Sequence, residues 1–377
     1  MQVGDAAIVD LAGLDVLMRT LAEHGYETQG PVVRDGAIMP GPVARASDLP
    51  AGFHDEQAPG HYRLRDDGDE ALFGWAVGPG SWKAELFPPQ QELWRTSRRD
   101  GEVTFREPGP GAVAPLAIIG ARPCELAALS ILDRVLEGGA APDPRYQRRR
   151  EGMFVVAAEC GTPSGTCFCT SMGTGPAATT GYDLALTELL DDDGHRFLVR
   201  VGSERGAEIL SAAPVAAVTP EDLDRRAQVL AGAEASMGRH LETDGLPSLL
   251  SRNLEHPRWD DVAERCLACG NCTLVCPTCF CSDVRDTTDL SGEVTRTRTW
   301  ASCFDLDHSY VHGGPVRRST RSRYRQWMTH KLSTWWDQFD TSGCVGCGRC
   351  IAWCPVGIDL TEEAAAIRSA DGETRGP

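Results

Sequence analysis

Two short runs of cysteine carry the most specific chemical pattern in the sequence. Cys266, Cys269, Cys272 and Cys276 are followed by Pro277, and Cys344, Cys347, Cys350 and Cys354 by Pro355. Both read C-x2-C-x2-C-x3-C-P, the spacing with which ferredoxins hold two [4Fe–4S] clusters on thiolates. Three evenly spaced thiolates let a tight loop wrap one face of an iron–sulfur cube, while the fourth points away towards the other cube. The spacing therefore predicts one cluster on Cys266, Cys269, Cys272 and Cys354, and a second on Cys276, Cys344, Cys347 and Cys350. Gly270, Gly346 and Gly348 allow close backbone approach to sulfur, and Leu267, Val275, Val345 and Ile351 can exclude water. Structural zinc is the competing reading, but zinc sites pair two C-x2-C knuckles and do not ask for runs of three.

Seven of the fifteen cysteines remain. Cys124 and Cys160 each follow an expected strand, and ligand sites of open α/β sheets gather at strand ends. Cys124 also falls at a helix start, where the dipole favours thiolate. With Cys167 and Cys169 in the next loop, four sulfurs can converge on a third cluster; the plainer alternative is a set of inert core thiols. Cys279, Cys281 and Cys303 are expected to pack near the second cluster or to bind nothing. Gly173-Thr174-Gly175-Pro176-Ala177-Ala178 formally fits G-x-G-x-x-A, but it does not directly follow a strand and Pro176 suits that turn poorly. Its backbone donors leave a flavin or phosphate open.

The elements that position these residues fall into two regions, with a boundary expected near residue 250. Region 1–250 reads as an α/β (mixed α+β) domain and region 251–377 as an α-helical ferredoxin-type domain. The first ~110 residues look β-rich with Gly/Pro turns. A buried strand is expected at 115–119, followed by a helix from Cys124 towards Leu136 with Pro123 in its first turn. A second strand at 153–158, a Gly/Ser/Thr-rich loop at 161–181 and a short helix at 183–190 follow. Thr219-Pro220-Glu221 opens a helical connector, with further starts at Pro247 and Pro257. The two cysteine runs are 67 residues apart, and this insert is expected to be helical after Pro315. Tyr324, Met328, Leu332, Trp335, Trp336 and Phe339 form its apolar stripe, and Arg317, Arg321 and Arg325 a row that neutralises clusters, docks an acidic partner or faces solvent. Thr166-Cys167-Phe168-Cys169 recurs as Thr278-Cys279-Phe280-Cys281.

Composition narrows the function. A formal charge of −17 argues against general nucleic-acid or anionic-membrane binding. Asp5, Asp10 and Asp15 stand where a leader's apolar run would sit, and so many cysteines without a leader point to metal or redox chemistry in the cytoplasm.

Further motifs carry a family resemblance. They are Gly78-Pro79-Gly80-Ser81-Trp82-Lys83, Gly120-Ala121-Arg122-Pro123-Cys124-Glu125-Leu126 and the segment 165–176, beside the two cysteine runs. Together they resemble the iron–sulfur β subunit of cytoplasmic NAD(P)-linked [NiFe] hydrogenases, or sulfhydrogenases, with a 4Fe–4S dicluster domain; the A subunit of anaerobic sulfite reductase is similar. The resemblance implies a subunit that carries electrons between a flavin/NAD(P) subunit and a hydrogenase, with no substrate bond made or broken on this chain. The rivals are a sulfite-reductase electron carrier, and a catalytic subunit holding flavin in its first region.

Overall fold

Apolar runs alternating with helices build the larger sheet. The computed structural model describes residues 1–99, 102–108, 114–191 and 194–373; the last four residues of the expected second region lie outside them. Seven of its strands lie in the order Ala6–Asp10, Gly194–Val201, Leu184–Asp191, Phe154–Ala158, Leu116–Ala121, Glu27–Arg34 and Ala37–Pro42. The middle neighbours pair in parallel and the outer ones antiparallel. Strands covered on both faces read as continuous apolar runs, and every residue of Phe154–Ala158 is buried. Ala117, Ile119, Phe154 and Val156 face a core shared with helices Leu11–Glu23 and Glu204–Ser211. Ile118, Val155 and Ala157 face the opposite core, under helix Pro123–Leu136. The first region is the mixed α/β unit that the sequence predicts.

One expected helix is a strand. Residues 183–190 fall in strand Leu184–Asp191, which pairs in parallel with Phe154–Ala158 and antiparallel with Gly194–Val201. Its Leu, Ala and Glu residues favour helix locally, but Leu184, Ala185, Leu186, Thr187 and Leu189 are all buried inside the sheet, and that packing overrides propensity.

The connector forms helices Pro220–Ala235, Leu246–Arg252 and Arg258–Arg265, starting where the prolines indicate. The first is closed by a capping box: Thr219 Oγ1 accepts from Asp222 N–H at 3.2 Å, and the Asp222 carboxylate accepts from Thr219 N–H at 2.9 Å.

The insert is only partly helical. Its first part is a hairpin, Ser282–Thr288 and Val294–Trp300, that extends a hairpin of the first region, Gln90–Arg99 and Glu102–Arg106, into one four-stranded antiparallel sheet. The alternating Thr295, Thr297 and Thr299 suit a pleated, half-buried surface; this period-two signal is the one that a helical reading overlooks. Trp300 closes the seam, its indole N–H donating to Phe87 O at 2.9 Å. The second part runs through helix Thr320–Thr329, a π turn at His330–Thr334 and helix Trp335–Phe339. Tyr324, Met328, Leu332 and Trp335 are buried, whereas Trp336 is exposed; the π turn shifts the phase of the stripe just before it. Two of the three row arginines are held within the chain. Arg321 pairs with Glu255 and Asp260, and Arg325 with Glu255, so these two are not a free docking strip. Among the described residues no helix is long and apolar enough to cross a membrane.

Thr219→Ala is expected to destabilise the protein by about 1 kcal/mol through loss of the cap, read as a lower midpoint in denaturant unfolding followed by circular dichroism. Thr219→Ser should restore it, and an unchanged midpoint for the alanine variant would show that the box contributes nothing.

Candidate metal centre

The two cysteine runs fold into the same backbone path. Helix Arg258–Arg265 delivers Cys266, after which Ala268 and Gly270 take left-handed conformations, with φ of 51° and 75°, and short helix Asn271–Leu274 leads to Cys276. In the second run Gly346 and Gly348 take the equivalent turns, with φ of 65° and 74°, ahead of short helix Arg349–Ala352 and Cys354. These turns aim main-chain N–H groups at sulfur. Ala268 N lies 3.4 Å from Cys266 Sγ, Gly346 N 3.5 Å from Cys344 Sγ and Ile358 N 3.3 Å from Cys354 Sγ.

Cys266, Cys269, Cys272 and Cys354 line one cavity together with Cys350, with Phe304, Tyr324 and Trp327 among its walls. The fourth sulfur of this group thus comes from the other run. Cys276 in turn lies within electrostatic range of Cys344, Cys347 and Cys350. Burial pushes the Cys344 thiol up to about 12 and those of Cys272 and Cys350 well above the ordinary range, with neighbouring sulfurs adding to the effect. Cys276 goes the other way. A hydrogen bond from the Cys279 thiol and the charge of Lys331 hold it well below the usual thiol range against its own burial.

Lys331 is a residue of this site that the cysteine spacing does not reveal. It is 3% exposed and its ammonium donates to Cys276 Sγ at 3.2 Å, Thr278 Oγ1 at 3.1 Å and Gly343 O at 2.9 Å. It sits in the π turn, a local widening common at functional sites. The available signal was a lysine on the apolar face, three residues after Met328 and four before Trp335. Lys83 is a second such cation. Its Nζ donates to the carbonyls of Cys276 and Cys279 at 2.9 and 3.0 Å and lies 3.8 Å from the Trp300 ring centre. Arg349 is a third, between Gly348 and Cys350 where the first run has Asn271. It donates to Gly78 O at 2.7 Å, Gly80 O at 2.9 Å and Glu125 Oε1 at 2.6 Å. The 78–83 motif therefore clamps both runs.

The four cysteines of the first region also come together. Cys124, Cys160, Cys167 and Cys169 are buried and line a second cavity, with Cys347 of the second run beside them. The helix start does not make Cys124 a thiolate here: burial, with Cys347 and Cys169 nearby, raises its pKa well above the usual value. Segment 173–178 leads towards strand Leu184–Asp191 and not into a helix, so it lacks the helix N-terminus on which a dinucleotide loop relies. Its Gly175 is packed against Cys169 instead, where an added Cβ would lie 3.1 Å from sulfur. Cys279 and Cys281 gather near Cys276, whereas Cys303 is within electrostatic range of both Cys281 and Cys272.

Thiol donors around a cavity, with N–H groups aimed at sulfur, fit an iron–sulfur cube, whose ligands stand apart at its corners. Among the described residues no group of three or more His, Cys, Asp or Glu side chains is drawn together as around a single metal ion.

Comparisons with known proteins agree with this chemistry. The family model for the 4Fe-4S dicluster domain matches residues 265–358, the span of both runs. Sulfhydrogenase 2 subunit beta of Pyrococcus furiosus is 38% identical over 254 residues, covering 67% of this chain and 73% of that protein. No solved structure matches. A match of that extent, over a dicluster segment that implies two [4Fe–4S] clusters, makes this chain a member of the sulfhydrogenase β-subunit family, an iron–sulfur electron-transfer subunit.

Proposed function

We propose that this chain relays single electrons between a flavin- and NAD(P)-binding subunit and a [NiFe] hydrogenase within one cytoplasmic complex. The observation that carries the reading is the cavity in which Cys354 joins Cys266, Cys269 and Cys272, because sulfur exchanged between runs ties two clusters side by side. In this reading those four hold the first cluster, and Cys276, Cys344, Cys347 and Cys350 hold the second. Each cluster, when bound, takes up and gives up one electron.

The chain's own residues set the terms of that exchange. Tyr324, Trp327 and Phe304 keep bulk water from the inner side of the first site, which raises the strength of nearby electrostatic contacts. Cys269 and Leu267 are exposed on its outer side, where a redox partner can approach. Lys331 places a buried positive charge on Cys276, stabilising the more negative, reduced state. Region 1–250 seats the second run on a rigid sheet, and region 251–377 supplies the eight sulfurs. No residue of the chain acts on a substrate bond.

Two measurements test this. In the complex reconstituted with its flavin and [NiFe] subunits, Cys354→Ala should abolish the first cluster's EPR signal and hydrogen-dependent NAD(P) reduction, while hydrogen-dependent dye reduction at the [NiFe] subunit persists. Undiminished NAD(P) reduction in that variant would remove the relay role. Lys331→Met should lower the reduction potential of the second cluster by about 60 mV or more, the one-electron equivalent of a tenfold factor, with Lys331→Arg recovering part of the shift. A redox titration that left the potential unmoved would deny Lys331 this influence.

A further inference from the structure

The sulfurs of the first region are arranged like those of the two runs. Cys124 is the second residue of helix Pro123–Leu136, and Cys160 follows strand Phe154–Ala158, the neighbouring strand of the sheet. Cys167 and Cys169 come from the loop that then crosses the same strand ends. Three separate pieces of chain thus bring four buried sulfurs to one cavity, as the two runs gather sulfurs at the first site.

Two further observations distinguish this from a chance gathering of core thiols. Main-chain N–H groups are again aimed at sulfur: Ser164 N is 3.4 Å from Cys167 Sγ, and Thr162 and Thr170 N–H groups bond to Cys160 and Cys169. Buried cations again stand at the rim. Arg122, 1% exposed, lines the cavity and spends its donors on the carbonyls of Phe73, Trp75, Ala76 and Glu159. Arg349, 2% exposed, has a buried Nη1 with no oxygen or nitrogen to receive it, and Cys347 and Cys124 are its sulfur neighbours. A buried guanidinium N–H group without an acceptor is costly, and thiolate on a metal is an anion that can receive it. The other walls are Ala76, Val77, Pro123, Pro163 and Pro176, which offer water few of the two to four polar partners it needs.

We propose that Cys124, Cys160, Cys167 and Cys169 hold a third [4Fe–4S] cluster, set against the second site through Cys347. Four sulfurs spread around a cavity suit a cube and not a single zinc ion, whose four ligands close on one point.

The test uses the full chain, prepared and kept under anaerobic conditions. Native mass spectrometry and iron analysis of the wild type should give three cluster increments and about twelve irons per chain. Cys160→Ala/Cys167→Ala should lose one increment and about four irons while the EPR signals assigned to the two runs persist. The proposal is overturned if the wild type carries two increments and about eight irons, with or without a bound flavin, or one zinc ion beside them. It is equally overturned if the Cys160/Cys167 variant keeps all three clusters. Should that variant not fold, the wild-type count of increments and irons still decides. A wild type with eight irons would leave the two-cluster relay role intact, so the two readings fail separately.

Discussion

The contact between the second cysteine run and the backbone of loop 161–181 is the joint on which the molecule turns. A Cβ on Gly346 would lie 2.6 Å from the Phe168 carbonyl carbon, and one on Gly348 2.5 Å from Thr166 O. Both positions have left-handed φ, so glycine answers a conformational and a steric demand at once. Across this joint Phe168 N–H donates to Gly346 O at 2.8 Å and Thr174 Oγ1 to Val345 O at 2.7 Å. The first run has Ala268 where the second has Gly346, with the same left-handed turn but with Cys269 and Leu267 exposed beside it. Equivalent loops thus serve different settings: one is seated on the sheet domain and one is turned outward.

Charge explains why so many cations lie inside an acidic protein. Lys83, Lys331, Arg122 and Arg349 are each no more than 3% exposed, and all four face cysteine sulfur or carbonyls of the cysteine-bearing loops. Burying a cation costs several kcal/mol unless geometry and hydrogen bonds compensate. Glu125 answers Arg349, and main-chain carbonyls answer Lys83 and Arg122, but these partners supply one full negative charge among four cations. Burial raises the pKa of most of the neighbouring thiols, so only as metal ligands would these sulfurs supply the matching negative charge. Lys331 contacts sulfur directly.

Much of this was readable from residue order, for physical reasons that differ by element. Strand Leu116–Ala121 and helix Pro123–Leu136 announce themselves by apolar runs and a proline at the first helical position, which are local signals. The box at Thr219 is local too. Strand Leu184–Asp191 is not, because its residues form helix readily in isolation and only the strands on either side make it extended. The hairpin 282–300 likewise depends on a partner nearly 200 residues earlier. Cysteine spacing identifies sulfurs that belong near one another, yet it is silent on Lys331 and Lys83, which reach Cys276 from distant segments. The gathering of Cys124 with Cys160, Cys167 and Cys169 rested on strand ends alone until the sheet order put those ends side by side.

The second run occupies the middle of the sulfur array, and this has a consequence for how its parts must fit. Cys350 lines the first cavity and Cys347 lines the one in the first region, three residues apart across the start of helix Arg349–Ala352. Gly348, with its left-handed φ, caps the start of that helix between the two cysteines. Arg349, the next residue, is locked to Gly78, Gly80 and Glu125 and ties the segment to the sheet domain. A four-residue segment therefore borders both cavities. The strand pairing of Val294–Trp300 with Gln90–Arg99 holds the same two regions together from the far side of Lys83. With one tie on each side, the sulfur groups are held by both regions of the chain at once, as a path for electrons between fixed points requires.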